Sequence, residues 1–201
     1  KEKPEYAMKV LAAAAEAGAD VIVLCETNGG SLPNEVCDIT RKVCAEFSGI
    51  PIGIHAHNDC DCAAANSLGA VAAGCRHVQG TINGLGERAG NANLCTIIPS
   101  LVYKMGFDVA NREKLQSLTE LSRYVFEIAN LAPVMNMPYV GESAFAHKGG
   151  FHIDGLRKDK RTYEHMDPDL VGNKRRLLIS ELSGSSNVLA KLENKNLVKD
   201  K

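Results

Sequence analysis

The stretch PIGIHAHNDCDC, residues 51–62, ends an apolar strand-like run with two histidines one residue apart, His55 and His57, followed at once by Asn58 and Asp59. Side chains alternate across a strand, so the two imidazoles share a face. Two neutral imidazoles with carboxylate or amide oxygens nearby can hold a divalent cation. The same pair can instead hold a loop through hydrogen bonds, and the spacing alone leaves both readings open. A second polar cluster, QGTINGLGERAGNANL, covers residues 79–94, where Gly80, Gly84, Gly86 and Gly90 bracket Asn83, Glu87, Arg88, Asn91 and Asn93. So many permissive backbone positions among fixed polar groups describe a loop wrapped on something small and charged. It leads into a helix whose N-terminal amides favour an anion. A plain turn with a surface ion pair between Glu87 and Arg88 would leave that density of Gly and Asn without a reason. A third cluster, Glu26, Thr27 and Asn28, ends the run LCETN.

The elements that must position these groups follow from hydrophobic periodicity. Residues 4–17 read as a helix with Pro4 in its first turn and Gly18 as terminator. VIVLC is apolar on both faces, as a parallel strand covered by helices would be. SLPNEVCDITRKVCAEF is the next helix, capped by Ser31 or Asn34, with Val36, Ile39, Val43 and Phe47 at helical spacing. IPIGI is a strand, the alanine-rich stretch from Cys62 to Gly74 a helix able to approach the sheet closely, and RHVQG a short third strand. The repeat of roughly 25 to 30 residues is one βα unit each time. All three polar clusters therefore stand at successive strand ends, the arrangement of a βα-barrel active site.

Beyond that the rhythm stops. REKLQSLTELSRYVFEIAN reads as one long amphipathic helix lined by Leu115, Leu118, Leu121, Val125 and Ile128, followed by turn-rich sequence and a last helix beginning near Ser185. Residues 1–110 are assigned to a barrel segment and 111–201 to a helical linker and accessory subdomain.

Lys and Arg number 23 against 24 Asp and Glu, a formal net charge of -1. That balance gives no global reason to expect nucleic acid or an anionic membrane surface. No apolar run reaches the ~18 residues of a membrane span. The seven cysteines include no CxxC pair, and Cys25, Cys44, Cys75 and Cys95 sit in apolar segments, which suits reduced thiols in a cytoplasmic protein.

IHAHND followed by NGLGERAGN resembles the paired motifs of the metal-dependent Claisen-condensing and lyase superfamily of 2-isopropylmalate, homocitrate and citramalate synthases and hydroxymethylglutaryl-CoA lyase. The resemblance covers nearly all of residues 4–180. GESAFAHKGGFHIDG and TYEHMDPDLVG point to the synthases, and ETNGG with FHIDG to the citramalate synthase branch. It implies an α/β fold, the C-terminal portion of a TIM (βα)₈ barrel from about strand 6 to strand 8, then a mainly helical accessory region. It implies a divalent metal, Mg²⁺, Mn²⁺ or Zn²⁺, held by His55, His57 and Asn91 together with an aspartate of the first strand. Thr27 would stand near the 2-oxo acid, Glu87 would organise the acetyl-CoA side, and His152, with Tyr163 near it, would reach the active site of a partner subunit in a homodimer. His152, Glu87 and Tyr163 form the expected catalytic set, and acetyl-CoA and a 2-oxo acid, pyruvate first, the expected substrates. Glu26 stands where such sequences commonly carry aspartate, and no direct contact is assigned to it. Strands 1 to 5 would lie outside the sequence, so these residues would not close a barrel.

Two other readings use the same residues. A hydrolase of the amidohydrolase type also carries His-x-His on a barrel strand, but needs further histidines at later strand ends, and His77 falls at the start of its strand. A ligand-binding or scaffold remnant that had lost the first half of its barrel would instead imply a short gene product.

Overall fold

The computed structural model describes residues 2–109 and 112–178; the helix expected from Ser185 lies outside them. The chain forms two compact units, Lys1–Val109 and Ala110–Lys201.

The first unit alternates helix and strand: α1 (Pro4–Glu16), β1 (Ile22–Glu26), α2 (Pro33–Glu46), β2 (Ile52–Ala56), α3 (Ala63–Ala72), β3 (His77–Gln79) and α4 (Leu94–Tyr103). The strands form one parallel sheet in the order β1-β2-β3. Ile22, Ile52, Ile54 and Ala56 face the helices and pack with Val36 and Val43 of α2, Ala63, Ala70 and Val71 of α3, and Ile97 and Leu101 of α4. Ile54 and Ile97 are 2% and 1% exposed, and full burial of such a side chain contributes about 1.5–3 kcal/mol. Alternation then sends the other set of β2 side chains to the opposite face. The register sets Cys25 beside His55 and His55 beside Gln79.

The cap of α2 differs from the sequence expectation. Leu32 is the N-cap and contributes no side-chain bond. Ser31 is buried instead, its hydroxyl donating to Glu26 Oε1 at 3.0 Å, so it ties the end of β1 to the start of α2.

In the second unit the long helix is also broken. Arg112–Ser117 winds as a 3₁₀ helix, and only Leu118–Ile128 is α-helical, here α5. The tighter 3₁₀ winding changes the phase of the apolar stripe. Leu115, Leu118, Thr119, Ser122 and Phe126 are buried, while Leu121 and Ile128 face solvent. Two-residue strands β4 (Ala146–His147) and β5 (Arg176–Leu177) pair in parallel, with α6 (Gly150–Lys158) following β4. Asn173 Nδ2 donates to the carbonyls of Tyr139 and Gly141 at 2.9 and 2.8 Å, pinning the turn-rich connection. Among the described residues no helix is long and apolar enough to cross a membrane.

Candidate metal centre

At the C-terminal end of β2 the His55 and His57 rings lie with centroids 5.4 Å apart, edge to face. His55 Nδ1 is 3.1 Å from Gln79 Oε1, its register neighbour on β3. An amide oxygen only accepts, so this contact puts the proton on Nδ1 and leaves Nε2 with a free lone pair. The neighbour that fixes this tautomer was not apparent from sequence, although the strand register carries the signal.

The glycine loop returns along the end of β2. Asn58 N donates to Gly90 O at 3.0 Å, Ala92 N donates to Ala56 O at 2.9 Å, and Asn91 bridges His57 in an antiparallel pair. Asn91 Nδ2 donates to Leu85 O at 3.3 Å, which turns Oδ1 the other way. Two glycines make this path possible. Gly90 adopts φ +96°, and a Cβ there would fall 2.0 Å from Gly84 O; a Cβ on Gly86 would fall 2.2 Å from Asn91 Nδ2. The density of glycine thus reflects close packing of the loop on Asn91.

His57 Nδ1 and Asn91 Oδ1 are both buried and make no hydrogen bond. A buried polar group left unpaired costs about 1–3 kcal/mol. Imidazole nitrogen and amide oxygen are ligand types for a divalent cation, which would satisfy both atoms, so these residues fit one. Among the described residues no three His, Cys, Asp or Glu side chains cluster as a metal site; the set here is two imidazoles and an amide.

Arg88 has a left-handed backbone at φ +55°. Its Nε and Nη2 donate to Asp59 Oδ1 and Oδ2 at 2.7 and 2.9 Å, and Nη2 also donates to Thr27 O at 2.6 Å. Hydrogen bonds from the guanidinium hold the Asp59 carboxyl below the usual carboxylate range. One side chain joins all three strand ends, a tie that sequence reasoning missed because the partners are far apart in the chain.

The remaining expected residues are dispersed. Glu26 shares a register pair with Ala56, on the helix-facing side, and its Oε2 is buried without a hydrogen bond. Thr27, with Glu26, Ser31 and Thr40, lines a cavity of about 600 Å³ to which neither histidine contributes. Glu87 is exposed at the outer turn of the loop, its backbone carbonyl accepting from Gly90 N at 2.9 Å. His77 is exposed at the start of β3, its Nε2 3.3 Å from Gln79 Nε2.

His152 and Tyr163 meet inside the second unit, their rings stacked at 4.1 Å with an 18° interplanar angle. Buried His147 lies 6.1 Å from His152, centroid to centroid, and its Nε2 is 3.4 Å from Glu164 Oε1. Glu164 also accepts from both Nε and Nη2 of Arg175, the Nε bond falling on the same Oε1. Burial pushes the His147 pKa down, against the pull of Glu164, so His147 is a neutral imidazole beside a carboxylate already matched by Arg175.

Residues 1–125 match the model of the family described as HMGL-like. The chain belongs to the HMGL-like family. Residues 139–201 match a model described as homocitrate synthase post-HMGL domain-like. An (R)-citramalate synthase of Aquifex aeolicus is 58% identical over 193 residues, 96% of this chain and 37% of that protein. A 2-isopropylmalate synthase of Sulfolobus acidocaldarius is 38% identical, over 98% of this chain and 50% of its own length. The crystal structure of an HMG-CoA lyase from Bacillus subtilis superposes with a TM-score of 0.57 at 25% identity, covering 67% of this chain and 46% of the lyase. The chain therefore spans well under two thirds of the length of these HMGL-like relatives, and its strands correspond to part of their barrel.

Proposed function

We propose that the protein carrying this chain condenses acetyl-CoA with pyruvate and water to give citramalate and CoA. Identity of 58% to a citramalate synthase across nearly the whole chain supports this reading over that of 2-isopropylmalate synthase, where identity falls to 38%. The observation that carries the chemistry is the pair of buried, unpaired atoms His57 Nδ1 and Asn91 Oδ1 beside His55.

In this reading His55, His57 and Asn91 hold a divalent cation, Mg²⁺, Mn²⁺ or Zn²⁺, with Gln79 fixing the His55 tautomer. When bound, the ion supplies Lewis-acid polarisation of the 2-oxo acid carbonyl. Thr27 stands toward the 2-oxo acid and Glu87 toward acetyl-CoA. His152 moves a proton at the acetyl-CoA methyl carbon, as an imidazole positioned for general acid-base work can, and the stacked Tyr163 fixes its ring plane. The protein works as a cytoplasmic homodimer in which the second unit of one copy serves the barrel of the other.

Thiol release by the full-length protein is the test, with acetyl-CoA and in turn pyruvate, 2-oxoisovalerate and 2-oxoglutarate. Fastest release with pyruvate is expected. Preference for 2-oxoisovalerate would move the assignment to 2-isopropylmalate synthase, preference for 2-oxoglutarate to homocitrate synthase, and no release with any acid would overturn the condensation.

A further inference from the structure

Cys60 and Cys62 lie in the loop between His57 and α3, and neither the packing of the core nor the proposed condensation uses them. They differ from Cys75 and Cys95, which are buried; burial pushes the Cys75 thiol up to about 12 and leaves it inert. Cys60 is exposed and Cys62 is half-buried, one residue apart on either side of Asp61. Cys60 Sγ also points to Ser31 O at 3.9 Å.

Local backbone geometry sets the two cysteines side by side. Asp61 N donates to Asn58 O at 2.9 Å and closes a turn, Asp61 itself is left-handed at φ +59°, and Cys62 is the N-cap of α3. A left-handed residue between a turn and a helix folds the chain back and brings its two neighbours together. Two thiols flanking one residue of a loop this tightly turned need little backbone movement to bond.

We propose that Cys60 and Cys62 are a redox-active dithiol, oxidised reversibly to a disulfide within the loop by a small disulfide of the glutathione class. Cys60, the more exposed thiol, attacks one sulfur of oxidised glutathione as its thiolate; the new bond forms as the glutathione disulfide breaks, releasing one glutathione thiolate. Cys62 then loses its proton, attacks Cys60 in the mixed disulfide and releases the second glutathione. Two thiols give up two electrons and two protons, and one oxidised glutathione becomes two reduced ones. The Cys62 thiol is held up chiefly by its bond with Cys60, which suits the second, resolving position. Closing so short a loop strains the product, and strained exposed disulfides are the readily reduced ones. The same loop carries Asp59, bound to Arg88, and Asn58, whose Oδ1 accepts from Ala63 N at 3.1 Å, so oxidation redraws the segment joining the histidines to α3.

The test equilibrates the full-length protein with mixtures of reduced and oxidised glutathione, then blocks free thiols with an alkylating agent and digests with chymotrypsin. The fragment Ser48–Leu68 contains Cys60 and Cys62 and no other cysteine. As the mixture becomes oxidising, this fragment should escape alkylation, become lighter by two hydrogens and return to the alkylated form after dithiothreitol. In Cys62→Ser the fragment should instead retain glutathione on Cys60, with turnover under reducing conditions unchanged. Double alkylation of the wild-type fragment at every mixture would overturn the proposal. So would a lasting glutathione adduct on Cys60 beside a free Cys62, or a disulfide from either residue to a third cysteine.

Discussion

The Arg88 guanidinium and the Asp59 carboxylate form a two-point ion pair, Nε to Oδ1 at 2.7 Å and Nη2 to Oδ2 at 2.9 Å, that fastens the glycine loop to the end of β2. The third bond, to Thr27 O, draws in the end of β1 as well. A planar fork can make these contacts together; a lysine ammonium is one point and cannot.

Arg88→Lys should therefore weaken Mn²⁺ binding by the full-length protein by about tenfold, the scale of loss when a supporting partner of a ligand is removed. Arg88→Ala and Asp59→Ala should each do the same. Combined, the two alanine changes should cost no more than Arg88→Ala alone, because that change already removes the whole Arg88–Asp59 pair. Losses that simply add in a competition titration would show that the two residues act separately.

Gln79 is expected to act through His55. Without its amide oxygen the His55 proton is free to move to Nε2, the nitrogen left with a lone pair for the proposed cation. Gln79→Ala should lower metal affinity by roughly 10- to 100-fold with the fold intact by circular dichroism. Gln79→Glu keeps an acceptor at the same place and should restore most of the loss. An alanine variant that binds metal normally would remove Gln79 from the site.

The sequence reveals much of this arrangement because its signals are local. Strand alternation places His55 and His57 on one face, and the glycine spacing marks a loop that must pack tightly before Asn91. The HMGL-like match agrees with the barrel-segment reading of those βα repeats. What stays hidden depends on contacts between distant residues. Asp59 and Arg88 are 29 apart in the chain, and Arg88 sits next to a more obvious partner in Glu87. Gln79 becomes visible only once the register of β2 on β3 is known. The break before Leu118 is concealed by an apolar period that runs through it unchanged, although Leu121 and Ile128 of that stripe end up facing solvent.

Gly90 offers a test of the loop path that leaves every polar group in place. Alanine at φ +96° is strained by about 1–2 kcal/mol before any contact is considered, and its Cβ would meet the Gly84 carbonyl. The loop must open, and Asn91 moves with it. Gly90→Ala should lose metal binding by at least ~10-fold while the helical circular dichroism signal stays the same. Undiminished binding would mean that the close approach of Gly84 to Gly90 is dispensable.

His147 sets the sign of a pH effect in the second unit. Burial holds its pKa below the ordinary value of 6.5, while Glu164 opposes that shift. Above 6.5 the imidazole is neutral in both the folded and the unfolded chain and stability does not respond to it. Below 6.5 the unfolded chain takes up the proton and the folded one resists, so stability falls as pH falls toward the lowered folded value. The groups around the ring are Glu164 at 3.4 Å, Arg175 paired with Glu164, and His152 across the edge contact. Arg175 already neutralises Glu164, and a charged His152 would repel a second cation, so the surroundings favour the neutral form. The urea midpoint of the full-length protein, followed through the second unit, should drop between about pH 7 and pH 5.5, and His147→Gln should flatten that slope. If a true ion pair with Glu164 dominated instead, the folded pKa would be raised, the midpoint would climb on acidification, and the same variant would abolish the climb. The direction of the slope therefore decides between a neutral His147 packed on an Arg175–Glu164 pair and a charged His147 sharing Glu164 with Arg175.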